Sequence, residues 1–399
     1  MLESILPGLV LLLWWLVIYH HLVFPQLLRW LGHNPHPIAG NFSDHSLPTI
    51  TVVVPAYNEA DYIAHKIYNL GALDYPAGKL DIIVACDGCT DNTADLAAKA
   101  ASAAENRHLN VRIWTYPDNL GKTEHLNRVL PLVRSGVTAL SDVSALISHD
   151  ALRIAAYYFS DPEVGVVAGS YQLAKPGSEG EALYWRYQRT IKLGESILGA
   201  PIGVHGALYF YRTVRFRPLA SDIINDDFVL PMQIVAAGSR AIYDPHIVAL
   251  ELESAPQQAD FKRRSRIAAG NIQQLIRLPQ LLHPRLGGIA LSFASGKALR
   301  AVMPLILLLQ FLLCFVLAFS SPWFICIALI QSLTIAFSLL RLWRWPALSL
   351  PGYVNAVCYL VCGYAASLNG VVRYLFGLER GRWQRVNTLG GSTHERMGD

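Results

Sequence analysis

The sequence predicts an α/β fold, a doubly wound and largely parallel sheet set between transmembrane helices at the two ends of the chain. Two patterns carry that expectation. Short apolar runs alternate with helical stretches between about residues 46 and 211, and strand–helix alternation is the mark of parallel βα units. Four longer stretches, Ser4 to Leu28, Ala301 to Phe319, Pro322 to Leu340 and Tyr353 to Val372, contain no Asp, Glu, Lys or Arg. Each is about the ~20 residues that a bilayer-spanning helix needs.

Composition agrees with a membrane protein. A hydrophobic fraction of 53%, a charged fraction of 16% and a mean hydropathy of +0.31 are too apolar for an ordinary soluble enzyme. The first apolar run reads as a retained anchor, because Glu3 replaces the basic flank of a secretion signal and no small-residue cleavage site follows. Arg29 then marks its cytosolic side. At the other end Arg341 and Arg344 ask to be inside, and so do Arg373, Arg380, Arg382 and Arg385. Three C-terminal crossings cannot satisfy both groups, so the Tyr353 to Val372 run is either re-entrant or interfacial, or overrides the charge rule. The net charge of +4 lies largely in membrane-flanking segments and indicates no nucleic-acid partner.

The strands are expected at Thr49 to Pro55, Leu80 to Ala85, Val111 to Thr115 and Val137 to Ser141, each short, apolar and bounded by turn residues. Helices follow them at about Glu59 to Leu70, Thr93 to Ala104, Thr123 to Val133 and Ser148 to Tyr158. Further strands are expected near Val164 to Ser170, Ala207 to Tyr211 and Ala241 to Tyr243, with helices at Glu181 to Ile197 and Asp226 to Ala237. Leu275 to Arg300, broken by Pro279, Pro284, Gly287 and Gly288, suits an interfacial helix.

In such sheets ligands bind outside the carboxyl ends of the strands. Tyr57 and Glu59 follow the first strand, Asp87 the second, the Asn119 to Lys122 turn the third and Asp142 the fourth, so the polar candidates share one edge. Carboxylates with nearby cations at such an edge assemble a site for a nucleotide diphosphate and a hard divalent metal. Asp142 is the expected metal ligand with Ser144 two residues on, and Lys122 the phosphate partner. Asn225 caps a helix whose first turn holds Asp226 and Asp227. Neighbours on a helix do not share a face, so one of the two is expected to enter the pocket, and Asp227 is chosen as general base. Arg264 and Arg266 in the basic run from Lys262 to Arg266 are expected to neutralise a leaving diphosphate. Cys86 and Cys89 form a CxxC without a second ligand pair or a redox context, and read as reduced thiols in a tight turn.

Taken together, Val54-Pro55-Ala56-Tyr57-Asn58-Glu59, Asp87-Gly88, Asn119-Leu120-Gly121-Lys122, Ser141-Asp142, Asn225-Asp226-Asp227 and Arg263-Arg264-Ser265-Arg266 resemble the ordered motifs of membrane-embedded family 2 glycosyltransferases. These are the relatives of cellulose, hyaluronan, chitin and poly-N-acetylglucosamine synthases. The resemblance implies a GT-A fold with a mixed sheet, a UDP-sugar donor, Mg or Mn, and inverting transfer to a growing polysaccharide or a lipid-linked acceptor. By position it implies that Pro55, Tyr57, Glu59 and Asp87 hold the nucleotide, Lys122 the diphosphate and Asp142 the metal. His205, Gly206, Trp185 and Asp226 would line the acceptor pocket.

Two departures stand out. The metal motif is Asp142-Val143-Ser144 instead of a pair of aspartates, and Ile267 stands where the synthases place a tryptophan. Polymer synthesis, single-sugar transfer to a polyprenyl-phosphate or ceramide-like lipid, and a non-catalytic role beside other exopolysaccharide assembly proteins therefore remain three readings. The expected organisation is an anchor at 1–31, a cytosolic catalytic domain at 44–274, an interfacial segment at 275–300, transmembrane helices at 301–376 and a basic tail at 377–399. The expected location is the bacterial inner (plasma) membrane.

Overall fold

A computed structural model of the chain describes residues 2–32, 44–175, 179–253, 260–344 and 351–378. Arg380, Arg382, Arg385 and nearly all of the expected basic tail lie outside the described residues. The sheet has eight strands: β1 Ile50–Ala56, β2 Leu80–Asp87, β3 Asn110–Tyr116, β4 Val137–Ser141, β5 Ala145–Ile147, β6 Val164–Leu173, β7 Leu208–Arg212 and β8 Arg240–Glu251. Their order is β3-β2-β1-β4-β7-β6-β8-β5. β3, β2, β1 and β4 run parallel, β7 runs antiparallel to β4 and β6, and β8 is parallel to β6 and antiparallel to β5. The sheet is mixed, with a parallel half that follows the predicted βα alternation.

Central parallel strands are covered on both faces, which is why they read as continuous apolar runs. Every residue of β1 is buried, and successive side chains serve opposite layers. Val52 and Val54 join Ile63, Ile67 and Leu70 of α3 (Ile63–Gly71), Ala97 of α4 (Thr93–Ser102) and Leu152 of α6 (Ala151–Tyr158). Val53 joins Leu126 and Val129 of α5 (Lys122–Val129) and Val229 and Val235 of α8 (Asp226–Ala236) on the other side.

Two strands differ from expectation for local reasons. β8 is far longer than Ala241 to Tyr243, because Asp244 to Ile247 bulge out between Tyr243, opposite Ala168, and Val248, opposite Ser170. Pro245 sits in that bulge, where a missing N–H breaks no ladder bond. β5 is three residues long, too short to show any alternation.

The remaining helices are α1 (Leu2–Ile18), α2 (Phe24–Leu31), α7 (Glu179–Ile197), α9 (Asp260–Arg277), α10 (Gly288–Ser292), α11 (Leu299–Leu317), α12 (Pro322–Arg344) and α13 (Gly352–Leu375). Among the described residues three helical runs are long and apolar enough to cross a membrane: Ile5–Leu31, Gly288–Leu317 and Pro322–Arg341. The second begins at Gly288, inside the segment expected to lie on the interface. The fourth apolar run forms α13, which is not among these three and lies against α9: Asn369 donates to Ser265 Oγ at 2.8 Å, and Val371 packs with Ile272 and Ala301. The N-terminal helical run docks on the sheet-bearing part of the chain through α2 and α7. There a side chain at Gly194 would place its Cβ 2.2 Å from the Leu28 carbonyl oxygen. Tyr19 and His20 add bonds to Ser295 at 2.8 and 3.0 Å.

Gly194→Ala is therefore expected to force α2 away from α7 and to destabilise the protein by about 1–3 kcal/mol. Gly8→Ala, with nothing within 4 Å of the added carbon, should change stability by less than about 0.5 kcal/mol. Thermal unfolding of the two detergent-solubilised variants measures the difference.

Candidate active site

The carboxyl ends of β1, β2, β3 and β4 open on one edge. Because β7 runs the other way, the 203–207 segment before it enters at the same edge. Lys122 is the first residue of α5, a position where the helix dipole disfavours a cation. Carboxylates offset this. Lys122 Nζ lies 2.9 Å from Asp142 Oδ1 and 3.7 Å from Asp226 Oδ2. Burial opposes the Lys122 charge, but Asp142, Asp226 and Asp227 outweigh it and hold the ammonium above its usual range.

Asp227 stands in the same cluster. A Cβ at Gly206 would lie 3.4 Å from Asp142 Oδ2 and 3.6 Å from Asp227 Oδ2, so glycine there leaves room between two carboxylates. The expectation that only one of Asp226 and Asp227 faces the pocket is overturned. The site lies off the end of α8 rather than along its side, so both first-turn residues reach it. Asn225 makes no side-chain cap; its amide lies over Gly270 of α9. Burial, then the Asp226 charge, push the Asp227 carboxyl up to about 6, with Lys122 acting in the other direction.

Beside the carboxylates is an aromatic wall. His205 stacks on Tyr171 with ring centroids 3.8 Å apart, and Trp185 of α7 lies 4.3 Å from Tyr171 and 5.3 Å from His205. Burial lowers His205 to about 4, so the imidazole is neutral near pH 7. A neutral aromatic surface next to carboxylates suits a sugar ring, which offers both an apolar face and hydroxyls.

Several predicted residues stand elsewhere. Asp87 is 1% exposed and accepts from the backbone N–H groups of Leu120 at 3.2 Å and Gly121 at 2.9 Å, with His125 Nδ1 at 3.4 Å. Both of its oxygens are turned into the protein, where they shape the turn before Lys122. Gly88, at φ +63°, allows the close approach: a Cβ there would lie 2.4 Å from Asn119 N. Pro55 is buried inside β1 opposite Ala85, past the last β1–β4 pair, so its missing N–H leaves no rung unmade there. Its side chain is packed within the sheet.

Arg264 also differs. Its guanidinium lies 4.0 Å over the Tyr359 ring of α13, because residue 264 falls on the face of α9 that packs against that helix. Arg266 and Ile267 are exposed, and Arg263, which received no role from its sequence, is the arginine whose charge reaches His205. Tyr57 and Glu59 are half-buried at the β1–α3 turn, where Glu59 N donates to Thr93 Oγ1 at 2.8 Å. Cys86 and Cys89 are free thiols.

Two charged side chains were missed because nothing local marks them. Lys66 is 0% exposed in α3 and donates to Ser141 Oγ at 2.6 Å and to the Ala145 carbonyl. Burial lowers it to about 7 against the pull of Asp142 and Glu251. Glu251, at the end of β8, is buried, and burial raises its carboxyl. Among the described residues no three His, Cys, Asp or Glu side chains gather as a metal cage. The donors present still fit a hard cation of the Mg type, which commonly binds through one or two carboxylates and completes its shell with phosphate oxygens.

Comparison with known proteins adds four findings. The family model described as "Glycosyltransferase like family 2" matches residues 48–270. The poly-beta-1,6-N-acetyl-D-glucosamine synthase of Staphylococcus aureus (strain MSSA476) is 24% identical over 273 residues, 66% of this chain and 64% of that protein. The chain thus spans less than two thirds of that relative's length. The beta-monoglucosyldiacylglycerol synthase of a Nostoc species is 31% identical over 140 residues, 35% of this chain and 29% of that protein. A mannosyltransferase from Pyrobaculum calidifontis, solved with GDP-Man and Mn2+, superposes with a TM-score of 0.66 at 22% identity, covering 95% of this chain and all of that one. That likeness establishes the GT-A type fold.

The raised Asp227 carboxyl has a consequence for stability. Its folded pKa of about 6 exceeds the ordinary 3.8, so the fold disfavours the ionised form. The penalty is absent below about pH 4, grows between 4 and 6, and is complete above. Asp227→Asn should stabilise the protein by about 1 kcal/mol at pH 7, allowing for solvent screening. The gain should vanish at pH 4, as thermal unfolding at the two pH values will show.

Proposed function

The chain belongs to glycosyltransferase family 2, and from that footing we propose that it moves one sugar, with inversion, from a UDP-sugar to a polysaccharide or lipid-linked acceptor at a membrane. The observation that carries this reading is the Lys122 ammonium set between Asp142 and Asp226, with Asp227 beside them, at the carboxyl edge of a parallel sheet. Cations and oxygen donors for a diphosphate stand there next to a carboxylate whose proton affinity suits a base near neutral pH.

In the proposed step Asp227 takes the proton of an acceptor hydroxyl. The acceptor oxygen attacks the anomeric carbon from the side opposite the diphosphate, and the carbon–oxygen bond to phosphate breaks with its electron pair leaving on the diphosphate. Lys122 and the exposed Arg263 and Arg266 meet the charge that develops there. Asp142, with Ser144 nearby, would hold Mg or Mn, which when bound supplies Lewis-acid neutralisation of the diphosphate. Asp87 acts by fixing the 119–121 turn, and Tyr57 and Glu59 flank the nucleotide. Trp185, His205 and Gly206 line the acceptor side, with Asp226 holding Lys122 in place. The proposed domain limits remain 44–274 for catalysis, facing the cytosol of a bacterial inner membrane.

A specific observation favours single-sugar transfer to a lipid over chain elongation. Ile267 is 40% exposed at the position where the synthases carry tryptophan, so an aliphatic side chain stands there instead of an aromatic platform for a growing polymer. Membranes containing the protein, incubated with labelled UDP- and GDP-sugars, separate the readings by product size. Lipid products with one sugar support glycolipid synthesis, long polymer supports a synthase, and no nucleotide release with any donor supports a non-catalytic partner.

Asp227→Asn should lower turnover at least about a hundredfold while the protein still binds donor; full activity would remove Asp227 as the base. The same assay across pH should show kcat/KM falling as pH drops below about 6, because protonated Asp227 cannot accept the proton.

A further inference from the structure

Lys297 is a cation to which the proposed transfer step gives no task. It lies in the π-helical turn Phe293–Ala298, within the Gly288–Leu317 run that is long and apolar enough to cross a membrane. Such turns are rare and are found mostly at functional sites. Lys297 Nζ stands 4.4 Å over the ring of Phe228, the residue after Asp227. The same ring fills the space at Gly203, where a Cβ would lie 2.5 Å from Phe228 Cδ2. The ammonium is thus anchored beside the 203–207 segment and the start of α8, which both border the carboxylate site.

Among the described residues no carboxylate makes an ion pair with Lys297. Glu195 of α7 comes near the adjoining Gly296, where a Cβ would lie 3.7 Å from Glu195 Oε1. That carboxylate already accepts from Lys192 Nζ at 3.0 Å and from Ile202 N at 2.8 Å. A ring face covers one side of an ammonium and leaves its N–H donors to point elsewhere. An unpaired cation in an apolar run is costly and marks a place where an anion arrives. The depth fits a lipid headgroup. α11 has 19 residues, which at ~1.5 Å each span ~28 Å, about the ~30 Å of a hydrocarbon layer. Lys297 and the exposed Arg300, one turn on, then stand at the edge of that layer, level with lipid phosphates.

We propose that Lys297 and Arg300 bind the phosphate of an acidic lipid acceptor whose headgroup also carries a hydroxyl, and that this contact sets the hydroxyl before Asp227. The inference rests on the lipid-acceptor reading above and narrows it to phosphate-bearing lipids. The transfer step is unchanged: Asp227 takes the hydroxyl proton, the acceptor oxygen bonds to the anomeric carbon, and the bond to the diphosphate breaks. Lys297 selects the acceptor, while Lys122 serves the donor.

The test is binding of two lipids with the same fluorescent acyl chain, phosphatidylglycerol and diacylglycerol, to the full chain in a neutral detergent, read by fluorescence anisotropy. The wild type should favour phosphatidylglycerol about tenfold or more. Lys297→Met should abolish that preference while binding diacylglycerol as before, and Lys297→Arg should keep it. Arg285, exposed and outside the π-helical turn, is the control, and Arg285→Gln should change nothing. A wild type without the preference, a preference that survives Lys297→Met, or an equal loss in Arg285→Gln overturns the assignment. Glycerol 3-phosphate separates the sources of phosphate. Displacement of the probe only at far higher concentration than unlabelled phosphatidylglycerol supports a lipid headgroup, whereas equal potency makes the ligand a free phosphate and overturns the lipid. Product size from a labelled UDP-sugar, measured separately, tells the two failures apart. Long polymer removes the lipid-acceptor reading, while one-sugar products made from diacylglycerol as readily as from phosphatidylglycerol remove this phosphate site alone.

Discussion

The site depends on one half-buried charge balance, the Lys122 ammonium among three carboxylates. A lysine opening a helix faces an unfavourable dipole, and two adjacent aspartates opening another crowd like charges. Each arrangement would be costly alone. Set against each other at the sheet edge, the cation holds Asp142 and Asp226 within ion-pair distance while Asp227 is left proton-hungry. The electrostatic conflict that limits stability is thus the same feature that raises the proton affinity of Asp227.

Around that centre the fold is arranged to keep backbone segments at fixed distances. Asp87 spends its carboxylate on the amides that precede Lys122. α5 therefore starts at a defined place relative to β2. Lys66 and Asn69 do the same for the segment after β4. These residues are buried polar groups whose bonds are made within the protein, and such groups specify geometry more than they add stability.

The membrane helices are part of this arrangement through close backbone contacts. Gly194 lets α2 lie against α7, and Gly370 lets α13 lie against α9. α7 carries Trp185 of the aromatic wall and α9 carries the arginine run. Movement of the membrane-side helices therefore reaches both sides of the site directly. It also explains why Arg264 faces Tyr359: its stretch of α9 is an interhelical surface, and a guanidinium over an aromatic ring is a favourable way to fill it.

The sequence by itself determined the parallel half of the sheet, the edge on which the polar residues gather and the apolar helices, because burial on both faces and bilayer thickness leave continuous apolar runs that can be read locally. β4 falls on the predicted residues, and β1 and β2 within one or two. Only the tertiary structure decided which polar residues face the cleft. Asp87 turns inward, Arg264 turns to α13, Asp226 joins Asp227 beside Lys122, and Glu251 comes to stand opposite Ala145 across a strand pair more than a hundred residues apart. Those choices depend on hydrogen-bond partners and packing surfaces brought together from distant segments, and no local pattern records them.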